Sequence, residues 1–507
     1  MDAAAAADQS PIAQTSAGRV RGYARDGVSI FKGIPYAAPT GGKNRFMAPA
    51  PREPWDGVRE AVDYGQRCPQ VDGPVLVEEG MSLPYEAMGE DCLVLNVWTP
   101  AVGDGGRRPV MVWLHGGGFA VGSGAGARYD GVNLCSRRDV VVVTVNHRLN
   151  ALGFLHLGAL DPRFADAGNA GMLDCVAALE WVRDNIASFG GDPANVTVFG
   201  ESGGGMKATT LMAMPSARGL FHRAIVQSGP YLRAAEPAEA QAAAEDLLKQ
   251  LGIAAQDVAP LQDVPLERIL AVVGTLPLFA FQPVADGRVL PGHPFDPAAP
   301  ALSRGMPMLI GTNETETTFL PMIPLDPIPP EALTAGVAGF TQLPAAEVER
   351  LIGLYRREYP DRSDTYLLQL ITSDWWMVDA SLVQAERKAA QGGAPAYVYA
   401  FDQHTPVREG RLNCPHSLEI GYAFDNLELS VGMAGPITAQ TQSLAEAMSE
   451  AWTSFARTGA PQATGLPPWP AYDAVRRSVM TLGTRCAVDL DPHAVLREAV
   501  RALKSRA

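Results

Sequence analysis

Residues 198–212 read VFGESGGGMKATTLM and set a single serine, Ser202, among glycines on both sides. Gly200 stands two positions before it, and Gly203, Gly204 and Gly205 follow directly. The preceding NVTVFG (195–200) has the apolar, β-branched character of a buried strand. The following MKATTLMAM (206–214) reads as a continuing helix. A hydroxyl on a sharp strand-to-helix turn strains its own backbone, and side chains on its neighbours would collide. The glycines therefore mark Ser202 as a candidate nucleophile at an elbow.

The pattern extends in both directions. RPVMVWLHGGG (108–118) runs from strand into a glycine loop, and RRDVVVVTVNHRL (137–149) is apolar on both faces, as in the interior of a parallel sheet. The segment 168–191 is the clearest helix, with Met172, Val176, Leu179, Val182 and Ile186 recurring every three or four residues and Gly190 after the last turn. HRAIVQSG (222–229), GMPMLIGTNETET (305–317) and APAYVYAFDQ (394–403) supply further strands. The first hundred residues, with GRVRGYA, VSIFKGIPYA and CLVLNVWTP, read as an antiparallel entry to the sheet. SLAEAMSEAWTSFARTG (443–459) is an amphipathic helix with Leu444, Met448, Ala451 and Phe455 on one side. Strands alternating with covering helices predict an α/β domain with a doubly wound, mostly parallel sheet. Residues 1–507 are read as one catalytic domain, with cap or side-region insertions at approximately 235–300 and 324–370.

Composition sets limits on this domain. The chain has 507 residues, 47% of them hydrophobic, enough for a large core. Its 51 glycines and 41 prolines favour a loop-rich enzyme over a helical bundle. A net charge of −14, with no Lys/Arg tract, argues against nucleic-acid binding. No 20-residue span is continuously apolar, so no transmembrane segment is expected. The opening MDAAAAADQSP lacks the basic and apolar regions of a secretion signal. A cytoplasmic location is expected, with a secreted or periplasmic one if a leader has been removed. The six cysteines have no zinc-like spacing, and Cys135, Cys175 and Cys486 read as buried thiols.

A serine hydroxyl needs a histidine to take its proton, an acid to hold that imidazole, and N–H donors for the developing oxyanion. LHGGGF (114–119) offers Gly117 and Gly118 which, with the Gly203 N–H, form a candidate three-donor oxyanion hole. Five histidines follow Ser202: His222, His293, His404, His416 and His493. His416, among small and turn-forming neighbours in CPHSLEIG, ranks first, and His404 in the same loop ranks second. Glu314 and Glu316 both follow a strand, and sequence chemistry barely separates them as the acid.

The stretches FKGIPYA, EDCLVLNVWTP, VMVWLHGGGF, VTVNHRL, GNAGMLD, the run 181–204, GTNETE, PHSLEIGYAF and AWTSFARTG together resemble the type-B carboxylesterase family, the cholinesterase-like branch of the α/β-hydrolases. The resemblance implies an α/β-hydrolase fold and a bacterial carboxylesterase of broad ester scope working through an acyl-enzyme, with no metal or organic cofactor, and the apolar surface of the aromatic candidates named below favours aliphatic or aryl esters. An amidase or carbamate hydrolase with the same triad is the enzymatic alternative, and a non-catalytic binding protein the alternative of another class. The family's nucleophile, acid and base fall on Ser202, Glu316 and His416, and its oxyanion donors on Gly117, Gly118 and Gly203. Glu201 falls on a supporting position, expected to face away from the direct Ser–His relay, and Glu419 is a further network candidate. Two departures stand out: Gly203 where alanine is common, and Thr317 where glycine commonly follows the acid. The family's early disulfide implies a Cys68–Cys92 pair. Phe279, Phe281, Phe319, Trp375 and Trp376 are candidate linings of a pocket for a small-molecule ester. Cys414 has no elbow of its own and reads as a packing residue.

Overall fold

A computed structural model describes residues 10–71 and 87–506. Residues 1–9, most of the stretch in which no secretion signal is read, lie outside the described residues.

Strands β1 (Ile12–Gln14), β2 (Arg19–Arg21) and β5 (Val58–Glu60) form a small sheet of their own. The large sheet has eleven strands among the described residues. It opens antiparallel, as expected, with β3 (Tyr23–Arg25), β4 (Val28–Pro35) and β6 (Val94–Thr99), the last also antiparallel to β8 (Val141–Val145). From β8 the pairing is parallel through β7 (Arg108–Leu114), β9 (Gly191–Glu201), β10 (Arg223–Gln227), β11 (Met308–Asn313), β12 (Ala396–Phe401) and β13 (Ser478–Leu482). An antiparallel β14 (Ala487–Leu490) closes that edge.

Both faces of this sheet are covered, which is why β8 can be VVVTV with every residue buried. Side chains alternate between two cores: Val110, Val112 and Leu114 of β7 pack into one, Met111 and Trp113 into the other. Helix α1 (Val132–Arg138) and helix α10 (Ala439–Thr458) cover the second core, while α2 (Ala170–Asn185) covers the first. Leu444, Met448, Ala451 and Phe455 of α10 are buried as its periodicity predicts, between a Thr438–Thr441 capping box and Gly459 in the left-handed region. Helix α3 (Gly203–Leu211) follows the elbow.

The two insertion regions are helical. The first contains α4 (Pro237–Leu251) and α5 (Leu266–Val273). The second holds α6 (Pro330–Thr341), α7 (Ala345–Glu358) and α8 (Asp364–Ser373), ahead of α9 (Asp379–Ala390). Helices α6 to α8 share a third core with α11 (Ala494–Lys504): Leu333, Val348, Leu351 and Leu367 meet Leu496, Val500 and Leu503.

Parallel pairing decides where chemistry is placed. Gln227 is in register with Glu201 and Gly311, and Asn313 with Phe401. The loops carrying Ser202, Glu316 and His416 therefore leave the same end of neighbouring strands, where parallel sheets bind ligands.

Candidate active site

Ser202 has φ 55° and ψ −123°, a backbone region that non-glycine residues rarely occupy. Its N–H donates to Gln227 O at 2.8 Å, and its carbonyl accepts from Met206 N at 3.0 Å, so the strain is held by backbone on both sides. The glycines make the turn possible. A Cβ on Gly204 would lie 1.8 Å from Leu114 O, and one on Gly200 2.5 Å from the same oxygen. The elbow read from sequence is thus present, with Ser202 partly exposed at the strand end.

His416 sits in the loop after β12 and is 4% exposed. Its Nδ1 pairs with Glu316 Oε2, and Glu316 Oε1 accepts the Asn313 N–H at 2.7 Å. A carboxylate on Nδ1 fixes the tautomer, leaving Nε2 to exchange the proton. Nε2 is buried and makes no hydrogen bond among the described residues, including with Ser202. Catalytic hydrogen bonds are often long or misaligned without substrate. Glu201 does not face away from this relay, contrary to expectation: its Oε1 lies 3.0 Å from Nε2 and accepts from Ser417 Oγ at 2.6 Å. A Cβ on Gly116 would stand 2.9 Å from Glu201 Oε2 and 3.5 Å from Ser202 Cβ, so the absence of a side chain there leaves room for both.

Three buried carboxylates surround one imidazole. Burial alone would depress the His416 pKa, but the charges of Glu201 and Glu316, the Glu316 hydrogen bond and Glu419 outweigh it and raise it to about 9. Burial likewise raises Glu201, and burial with the charges of Glu201 and Glu316 pushes Glu419 up to about 8. Glu419 accepts from Asn313 Nδ2 at 2.7 Å and from Gln227 Nε2, whose Oε1 takes the Trp452 indole N–H at 3.0 Å. Glu419 is a network member, and Asn313, which orients both Glu316 and Glu419, is a site residue that sequence reading missed. The second candidates pair with each other instead: His404 Nε2 meets Glu314 Oε2 at 2.5 Å, half-exposed. His222, His293 and His493 contact Val196, Glu236 and Glu358 elsewhere.

The glycine loop crosses in front of the elbow. Gly117 (φ 87°) and Gly118 (φ 61°) are left-handed, and a Cβ on Gly117 would stand 2.3 Å from Val121 O. A Cβ on Gly203 would lie 2.2 Å from Gly118 O, so the loop backbone rests directly on the start of α3. Phe319 stacks on the His416 ring at 4.8 Å, and Trp376 stacks on Phe319 at 6.0 Å. Phe279 lies beside Gly118, its ring 3.1 Å from where a Cβ there would be.

A carboxylesterase family model matches residues 9–495. The chain belongs to the carboxylesterase family. It is 36% identical to para-nitrobenzyl esterase of Bacillus subtilis over 96% of this chain and 98% of that one. A solved thermophilic PNB esterase superposes with a TM-score of 0.84 at 35% identity, covering 97% and 100% of the two chains. The Geobacillus stearothermophilus carboxylesterase EST55 does so with 0.81 at 38%, covering 96% and 99%. This carboxylesterase is a carboxylic-ester hydrolase of the serine type on an α/β-hydrolase fold.

Cys68 and Cys92, the pair implied by the family resemblance, are buried side by side and are unbonded in this structure. Cys68 Sγ accepts the Leu149 N–H at 3.3 Å and hydrogen-bonds Cys92, which with burial raises the Cys92 pKa. Phe281 is 4% exposed and packs into the main core. Trp375 packs into the α6–α8 core, with Lys504 Nζ 5.8 Å from its ring. Cys414, as expected, is a buried packing residue whose Sγ meets Phe401 O. The Thr317 departure has a physical account: its Oγ1 bonds Thr372 Oγ1 at 2.7 Å and its N–H donates to Ser373 Oγ, pinning the acid's turn to α8. A cavity of about 540 Å³ lined by Glu314, Asp374, Asp402 and Thr312 lies behind this turn and does not include Ser202 or His416.

Proposed function

We propose that this carboxylesterase hydrolyses apolar aryl and aliphatic esters through an acyl-enzyme on Ser202. His416 Nε2 takes the Ser202 proton as Oγ attacks the ester carbonyl carbon, and Glu316 holds the resulting imidazolium. The carbonyl oxygen, now an oxyanion, accepts the N–H groups of Gly117, Gly118 and Gly203. Collapse breaks the bond to the alkoxide, which leaves with the proton from Nε2. Water then repeats the sequence: His416 removes its proton, hydroxide adds to the acyl carbon, and Ser202 Oγ is released and reprotonated as the acid departs. Glu201 and Glu419 support the imidazole, and Phe279, Phe319 and Trp376 provide apolar walls for the ester.

The observation that carries this reading is the Glu316–His416 pair, with Nε2 making no hydrogen bond and Glu201 Oε1 3.0 Å away, beside a strained serine and two left-handed glycines. The aryl preference is supported by the Phe319–Trp376 stack and by a relative named for a para-nitrobenzyl ester. An alkyl fluorophosphonate should label the protein stoichiometrically, and peptide mapping should place the label on Ser202. Ser202→Ala should fold and lose both the label and the burst of alcohol release. A label on any other residue, or a burst in the folded variant, overturns the assignment.

A further inference from the structure

We infer that Lys207 is a positioning residue for the oxyanion hole: its ammonium clamps the glycine loop from beneath, and Gly203 is the clearance that lets the clamp close. The inference rests on the oxyanion donors assigned above and adds a residue that the triad does not contain.

Lys207 lies on α3 five residues after Ser202 and is fully buried. A buried lysine is normally paired with an acid. Among the described residues none lies within ion-pair distance of this one. Its Nζ instead donates to two main-chain oxygens of the glycine loop, His115 O at 2.9 Å and Gly118 O at 2.8 Å. It also lies 5.7 Å from the Phe119 ring. Burial lowers its pKa to about 7, but the neutral amine still carries two donors for those two carbonyls.

The consequence follows from peptide geometry. In a trans peptide the C=O and N–H point in opposite directions, so a carbonyl held on one side aims the next N–H to the other. Every carbonyl from His115 to Phe119 is held. Lys207 takes those of His115 and Gly118; the neutral His115 ring, its pKa lowered to about 3 by burial and by Lys207, donates Nδ1–H to Gly116 O at 2.8 Å. Gly117 O accepts from Ala120 and Val121 N–H, and Phe119 O from Asn150 N–H. By this rule Gly116 O, held by His115, aims the Gly117 N–H, and Gly117 O, held by Ala120 and Val121, aims the Gly118 N–H, while Lys207 anchors the peptides on either side of that pair. Left-handed glycines are free to flip, and here the flip would break a carbonyl's bond.

Gly203 completes the device. It precedes Lys207 by four positions, one helical turn on the same face. A Cβ there would meet Gly118 O at 2.2 Å and Gly118 N at 2.5 Å. Gly118 O, the carbonyl that Lys207 draws down, occupies the space that alanine would fill. The departure at 203 and the lysine at 207 therefore belong together.

Lys207→Met keeps the apolar stem and removes the donors, while Lys207→Gln restores two N–H bonds. Steady-state turnover of 4-nitrophenyl butyrate gives kcat and KM. Inhibition by an alkyl trifluoromethyl ketone, which forms a tetrahedral oxyanion on serine, is compared with that by the isosteric unreactive alkyl ether. Lys207→Met should lower kcat by about 10- to 100-fold with KM within about twofold. It should weaken the ketone by a similar factor and leave the ether unchanged. Lys207→Gln should recover part of both losses, and Gly203→Ala should reproduce the pattern. Unchanged kcat in folded Lys207→Met, or equal weakening of ketone and ether, overturns the inference. If Lys207→Met does not fold, Lys207→Gln and Gly203→Ala decide it: normal kcat and ketone affinity in both overturn it, and selective ketone loss in Gly203→Ala sustains it. Fluorophosphonate labelling of wild-type Ser202 separates the two readings, since failure to label defeats the site itself and normal labelling confines any failure to Lys207.

Discussion

Glu314 and Glu316 stand two positions apart after one strand and end at different histidines, His404 and His416. Sequence alone barely separated them because both are glutamates beside a strand end; the turn that follows β11 decides, burying Glu316 against the Asn313 N–H and leaving Glu314 half-exposed. The electrostatics of that choice predict a pH profile. The proposed base must be neutral to act, and its folded pKa is raised above the usual 6.5 toward about 9. Activity as kcat/KM should therefore climb with pH through that window, giving an alkaline optimum. Linkage gives the opposite sign for stability: protonated His416 contributes fully below about pH 6.5, and the contribution is lost as pH rises through about 9. Glu201→Gln removes a raising charge and should move the acidic limb of kcat/KM to lower pH. Glu316→Gln should lower kcat/KM by roughly 10³- to 10⁴-fold, by analogy with loss of a triad acid. Glu314→Gln should leave both limb and rate within about twofold of wild type, the contrast that pH-rate profiles of the four proteins would check.

At the scale of elements, the strand–elbow–helix was legible because its constraint is local: glycine is demanded wherever backbone passes backbone. Gly204→Ala is the sharp case, since Leu114 O at 1.8 Å belongs to a central strand with no freedom to retreat. We expect it to destabilise by at least the ~1–3 kcal/mol typical of overpacking, read as a lowered urea midpoint. Gly219→Ala, whose Cβ meets nothing within 4 Å, should be far milder even though its φ of 79° also favours glycine. The two tryptophans were not legible. Asp374–Val378 forms a wide π-helical turn between α8 and α9, so Trp375 and Trp376 turn to different sides, one toward α11 and one toward His416. An ordinary helical period gives no warning of such a turn. Lys207 was overlooked although the signal was present: one cation in the otherwise apolar and small-residue run of α3.

For the whole molecule, the order of strands and covering helices followed from alternating patterns, while long-range partnership did not. Nothing in residues 330–373 announces that their apolar faces are completed by α11, more than a hundred positions later. Leu496→Ala should cost about 2–5 kcal/mol through the cavity it leaves, whereas Val495→Ala, on the exposed side of the same helix, should stay within about 0.5 kcal/mol. Equal urea midpoints for the two variants would refute the packing role of α11. The parallel sheet also sets a timetable. Ser202 and the elbow that strains it depend on β7, β9 and β10, all of which precede the loop bearing His416. At ordinary rates of synthesis that loop leaves the ribosome on the order of tens of seconds after the serine. On the proposed assignment, the nascent chain therefore carries its serine without its base throughout that interval, and ester cleavage waits for the late loop to dock.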